Sequence, residues 1–194
     1  MKKMNIKEIL IMIIIFSFVG FIFENMWMIY EYSRIDNRNM YLPFLFGYGL
    51  MVVFIYLVIG TTDNIFNKYK IKKPDNIILY ILLCFALVSI GEITLGFLVE
   101  KLFNFSYWDY TSIPLHITKY TSVPTSMGFA ISITIFINYV FVPLLKRIKK
   151  IENKIPMFIV VLITIILLLD MSVSYIKMYN NNGRNRIWRI DLKK

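Results

Sequence analysis

Four carboxylates lie inside or at the ends of strongly apolar runs: Glu24 in GFIFENMW, Glu92 and Glu100 in GEITLGFLVEKLF, and Asp170 in ILLLDMSV. Placing a charge at the centre of a bilayer costs ~2.5–3.5 kcal/mol on insertion scales, so such acids face a partner, a cavity or the bundle interior rather than lipid. Glu92, Gly96 and Glu100 are spaced four residues apart, and each step turns only ~40° around a helix. They form one stripe, in which Gly96 lets another helix approach closely. Such a stripe can hold the polar part of a solute, or act as acid and base where two carboxylates share a reacting atom. Asp109, within YWDY, and Arg38, in the first loop, complete the candidate set. An acid among aromatics calls for a cation or a bound group, and Arg38 is expected to pair with Glu24, Glu100 or Asp109. The set is thus Glu24, Arg38, Glu92, Glu100, Asp109 and Asp170, either substrate-binding or structural. For Glu24 and Glu100 the plainer reading is solvation at the membrane boundary, where Tyr107, Trp108 and Tyr110 would also settle.

The elements that must position these residues are membrane helices. A chain of 194 residues that is 58% hydrophobic has too little interior as a soluble domain to hide its apolar side chains. Five runs, roughly 8–30, 41–60, 76–99, 122–145 and 156–177, are long and apolar enough to be read as spans. The expected fold is therefore all-α and polytopic, a single membrane domain with about five transmembrane helices and a flexible basic tail over 178–194. Pro43 and Pro124 fit the first turns of the second and fourth spans, where a missing N–H costs little. GFIFE at 20–24 echoes GFLVE at 96–100, and PFLFG at 43–47 echoes PTSMG at 124–128. These matches suggest two parallel two-helix repeats followed by a fifth helix.

The net charge of +10 is concentrated in short loops, the pattern of membrane orientation rather than of nucleic-acid binding. Lys2, Lys3, Lys7, the run Lys68, Lys70, Lys72, Lys73 and the segment Lys146–Lys154 mark the cytoplasmic side. The N-terminus is expected there, and Ser106–Thr121 outside. The tail, with Lys177, Arg184, Arg186, Arg189, Lys193 and Lys194, breaks the rule if five spans place it outside. Cys84 is the one cysteine and reads as a packed thiol. His116, the one histidine, lacks metal-ligand spacing, so no metal or other cofactor is expected. No phosphate-binding loop, H-E-x-x-H or G-x-S-x-G occurs. ATP-driven work would need a separate ATPase subunit.

Read in order, Gly20 with Glu24, Asn37-Arg38, Pro43, Tyr48-Gly49, Glu92, Glu100-Lys101-Leu102-Phe103, Trp108-Asp109-Tyr110, Pro114 and Asp170 form a pattern. Over about residues 13–175 the chain resembles the putative ABC-transporter type IV family, small bacterial integral membrane proteins also described as ABC transporter permeases. It departs from that pattern at Phe46, at His116, and at Lys119-Tyr120, where Gly-Arg is usual. The resemblance implies a transporter permease-like component in the bacterial plasma membrane, in contact with lipid and with a separate ATPase subunit as a possible partner. Two other readings stay open: an intramembrane enzyme acting on a lipid or lipid-linked substrate at the outer leaflet, with Arg38 holding a phosphate, and a non-catalytic accessory factor.

Overall fold

The first helix begins where its sequence can cap it. Asn5 Oδ1 accepts from the Glu8 amide at 2.8 Å, and Glu8 Oε2 accepts from the Asn5 amide at 3.0 Å. This reciprocal pairing satisfies two otherwise orphaned donors, and α1 follows over Ile6–Tyr32. The structure, a computed structural model, describes residues 4–65 and 73–192. Lys2, Lys3, Lys68, Lys70, Lys72, Lys193 and Lys194 lie outside the described residues.

Among the described residues the chain is all-α apart from three two-stranded ribbons. After α1 come β1 (Arg34–Asp36), α2 (Phe46–Val58), the hairpin β2 (Gly60–Thr61) and β3 (Asn64–Ile65), and α3 (Lys73–Phe103). Then follow β4 (His116–Thr118), β5 (Thr121–Ser122), α4 (Val123–Phe136), a π-helical turn (Ile137–Phe141), α5 (Val142–Ile151), α6 (Met157–Asn180) and β6 (Arg189–Asp191). Among the described residues four helices are long and apolar enough to cross a membrane, with α2 as a shorter apolar helix. The chain is a polytopic membrane protein.

The second expected span, 41–60, is cut at both ends. The amides of Tyr41 and Leu42 donate to Asp170, and that of Leu45 donates to the Ser17 carbonyl at 2.9 Å. Those donors are therefore not released into a helix before Phe46. At the far end Gly60 adopts φ 90° and starts the β2–β3 hairpin. The remaining 13 residues rise only ~20 Å, less than the ~30 Å of a hydrocarbon core. Pro43 accordingly precedes the helix, whereas Pro124 occupies the first turn of α4, capped by Ser122. The π-helical turn has a local cause. Pro143 offers no N–H to Tyr139, and the Val142 amide instead reaches back five residues to the Ile137 carbonyl.

The chain divides into two compact units, one of Ile55–Leu144 and the other of Lys2–Phe54 with Leu145–Lys194. In the first, α3 packs along α4, and Tyr80, Cys84, Ala130, Ile137 and Phe141 are buried. In the second, α1 packs against α6. Gly49 brings α2 close to α1, since a Cβ there would collide with the Ile13 carbonyl and lie 2.5 Å from Ser17 Oγ. Both ends of this unit are fastened. At one end Glu8 meets Lys149 at 3.7 Å, and Asn5 Nδ2 donates to Glu152 at 2.9 Å. At the other, β6 of the tail pairs antiparallel with β1 of the first loop, Arg34 opposite Asp191 and Asp36 opposite Arg189. The basic tail thus lies at the first-loop end, opposite the end that holds the N-terminus of α1.

Candidate functional site

Each unit seats one carboxylate beneath a tyrosine. In the unit containing α1, Glu24 accepts from Arg38 Nη2 at 2.6 Å and from the Tyr48 hydroxyl. Tyr48 lies over Gly20, one turn earlier, where a Cβ would sit 2.6 Å from the tyrosine Cβ. Arg38 also approaches Asp36 at 3.7 Å. In the other unit, Glu100 accepts from Lys119 Nζ, from the Tyr120 hydroxyl at 2.8 Å and from Ser106 Oγ at 3.0 Å. Tyr120 lies over Gly96, where a Cβ would sit 2.5 Å from its Cδ1. Both glycines are thus required by the close approach of an aromatic ring.

The two seats are built from different stretches of chain. Tyr48 follows Pro43 by five residues and stands in α2, while Tyr120 precedes Pro124 by four and lies ahead of α4. Aligning the two glycine–glutamate pairs and the two prolines therefore does not align the tyrosines. The ion pairs also differ in shelter: the Arg38 and Glu24 side chains are 19% and 25% exposed, those of Lys119 and Glu100 34% and 36%.

Each unit holds a second acid with another kind of shell. Asp170 on α6 is buried and accepts from two backbone amides, Tyr41 at 3.0 Å and Leu42 at 3.3 Å. Glu92 on α3 accepts from hydroxyls: Ser126 at 2.6 Å, Thr121 at 2.8 Å and, at the limit of contact, Tyr110 at 3.5 Å. No lysine or arginine among the described residues lies within ion-pair distance of Glu92. Thr121 and Ser126 are themselves buried and 2.7 Å apart, so the three groups make a closed polar cluster at the start of α4.

Asp109 is exposed and turned to its own loop, accepting from the Thr111 amide at 2.9 Å and the Thr111 hydroxyl at 2.7 Å. The amide bond in particular holds its carboxyl below the usual range. In the same loop, hydrogen bonding to Glu100 raises both the Lys119 ammonium and the Tyr120 hydroxyl above their ordinary values. Trp108 fixes this loop by donating to the Tyr120 carbonyl at 2.7 Å. His116 is exposed, with Nδ1 3.2 Å from the Ile113 carbonyl.

The model of the family described as putative ABC-transporter type IV matches residues 11–175. The chain belongs to this family. No curated protein and no solved structure matches it. Membership supports a transport-related membrane protein.

The six residues singled out in the sequence divide between the units: Glu24, Arg38 and Asp170 in one, Glu92, Glu100 and Asp109 in the other. Arg38 takes Glu24 among its three expected partners. Tyr48, Lys119, Tyr120, Thr121 and Ser126 were not singled out as site residues. Lys119-Tyr120 stood out only as a departure from the family pattern, and those two residues hold Glu100. Thr121 and Ser126 flank Pro124, but nothing in their own sequence marks a hydroxyl as a ligand of an acid 34 residues away.

Proposed function

We propose that this protein is the permease-like component of a transporter in the bacterial plasma membrane, with its N-terminus cytoplasmic and its solute contacted by Glu92. The observation that carries this reading is the shell of Glu92. A carboxyl on an apolar helix is costly to maintain, and this one is met by rotatable hydroxyls alone. Such donors can turn away, so the carboxyl can exchange them for a polar or cationic group of a solute. Glu24 and Glu100 are instead each held by a cation, and Asp170 by fixed amides. In the unit of Glu92, Glu100 and Asp109 order the loop ahead of α4, while Glu24, Arg38 and Asp170 hold the other unit together.

The paired-carboxyl form of acid–base chemistry sets two carboxyls ~5–9.5 Å apart around one reacting centre, as in glycoside hydrolases. Glu92 and Glu100 are eight residues apart on α3, ~12 Å by helical rise, and each has its own partners. Transport is therefore favoured over paired-carboxyl catalysis by Glu92 and Glu100. The test is purification of the tagged full-length chain from its native membrane. An ATPase should accompany it, and Glu92→Gln should keep the complex intact while its ATP turnover changes. A chain that brings no ATPase, and a variant indistinguishable from wild type, would overturn the reading in favour of an accessory factor.

A further inference from the structure

The tail crosses to the first loop and brings arginines to a place that already has them. Arg34, Arg38, Arg184, Arg186 and Arg189 line one shallow cleft at this end of the unit. Carboxylates of the described residues pair with two of these arginines. Glu24 and Asp36 are taken by Arg38, and Asp191 by Arg189 at 2.6 Å. Arg34 and Arg186 have no carboxylate within ion-pair distance among the described residues. The β1–β6 register places Arg34 opposite Asp191, but that carboxylate turns to Arg189 instead. The Nε atoms of Arg34 and Arg38 are buried without a hydrogen-bond partner. A buried donor left unpaired is unfavourable, and gathering like charges adds to the cost.

The sequence nevertheless invests in holding the cleft together. Asn37 and Asn185 are both buried. Asn37 donates to the Asn185 carbonyl at 2.9 Å and accepts from the Ile187 amide at 3.2 Å, while Asn185 donates to the Asn39 carbonyl at 3.1 Å. Arg38 and Asn39 both adopt left-handed backbone, φ 47° and 69°, which asparagine tolerates readily but which an arginine keeps only where its surroundings impose it. The Leu192 amide ties the strand end to the Ser33 carbonyl at 2.8 Å.

We propose that this cleft is an oxyanion site for a phosphate group. Guanidinium forks match phosphate oxygens in pairs, and a phosphate between Arg34, whose guanidinium lies over the Tyr32 ring at 4.8 Å, and Arg186 would meet two cations that have no carboxylate partner among the described residues. Around the cleft, Trp188 packs edge-on to Phe21 with ring centres 6.5 Å apart, and Ile187 and Ile190 are exposed. Aromatic and apolar residues beside arginines suit headgroup depth. A lipid phosphate and a phosphorylated solute are the two sources of this chemistry.

The test uses full-length protein in detergent, with native mass spectrometry counting retained phosphatidylglycerol against phosphatidylcholine, and equilibrium dialysis measuring inorganic phosphate. Wild type should bind at least one anionic probe. Arg34→Gln with Arg186→Gln should weaken that binding roughly tenfold or more, with Lys146→Gln at the opposite end as a neutral control. Lipid retention that inorganic phosphate does not displace assigns a headgroup, and phosphate binding without lipid preference assigns a soluble phosphate compound. Should the double glutamine variant fail to fold, Arg34→Lys with Arg186→Lys keeps the charge and removes the forks, and should still bind more weakly. Wild type that binds neither probe, or variants that bind both as wild type does, would overturn the proposal.

Discussion

The two units solve the same problem with different materials. Both set a glutamate four residues after a glycine, cover the glycine with a tyrosine, and bring a cation to the carboxylate. Both add a second acid that steadies the approach to a helix with a proline near its start. In the unit of α1 that acid comes from another helix, α6, and is fixed by two backbone amides. In the unit of α3 it comes from the same helix as Glu100 and is met by side-chain hydroxyls. A backbone amide cannot turn away without unfolding its segment, whereas a hydroxyl rotates freely. The difference separates an acid that builds the protein from an acid that can meet something else.

Substitutions can break this comparison at several depths. The largest effect is expected at the glycines. In Gly20→Ala the new methyl meets the Cβ of Tyr48, which belongs to α2 and moves only with that helix. In Gly96→Ala it meets the ring of Tyr120, which stands in a loop and can swing. Overpacking costs about 1–3 kcal/mol, and thermal unfolding in detergent should place Gly20→Ala toward the upper end and Gly96→Ala below it. Equal losses would mean that the two tyrosines are equally constrained.

Next come the second acids. Asp170→Asn presents an amide N–H to one of two backbone donors, leaving a buried donor unpaired at about 1–3 kcal/mol. Glu92→Gln should cost much less, because Thr121 and Ser126 can reverse their hydroxyls. Matching losses of melting temperature at the two sites would remove the distinction on which the solute role of Glu92 rests.

The ion pairs follow. Arg38→Ala removes the more sheltered partner and should destabilise by roughly 1.5–3 kcal/mol, with little dependence on salt. Lys119→Ala breaks the more exposed pair, so its smaller effect should fade as salt is added. The pH dependence has a definite sign. The Lys119 ammonium is raised in the folded protein, so its contribution is complete below the unfolded value of ~10.4 and is lost only as pH rises through the folded one. A melting temperature that fell between neutral pH and pH ~9, below that unfolded value, and did so in wild type but not in Lys119→Ala, would contradict this.

The smallest effect is expected at Asp109. Asp109→Ala loses only the contacts to Thr111 and should shift stability slightly. Its carboxyl is depressed in the folded state, so the contribution is present above the unfolded value of ~3.9 and disappears as pH falls through the folded one. Variant and wild type should therefore converge in acid. A gap that widened there would reverse the sign of its role.

The sequence alone determined the helices and their stripes, because apolar run length and four-residue spacing are local properties. It placed Gly20 with Glu24, Gly96 with Glu100, and Pro124 in a first helical turn, each a matter of neighbours on one helix. Only the tertiary structure decided which donor each acid meets. Asp170 finds amides some 128 residues away, in a segment that otherwise reads as the start of a span, and those bonds help shorten α2 to Phe46–Val58. The tail read as charge without structure, since Arg189–Asp191 carries no strand signal of its own and gains one only opposite Arg34–Asp36. Hydrogen bonds across such separations depend on where helices end and how closely glycines let them pack, and no window of residues contains that information.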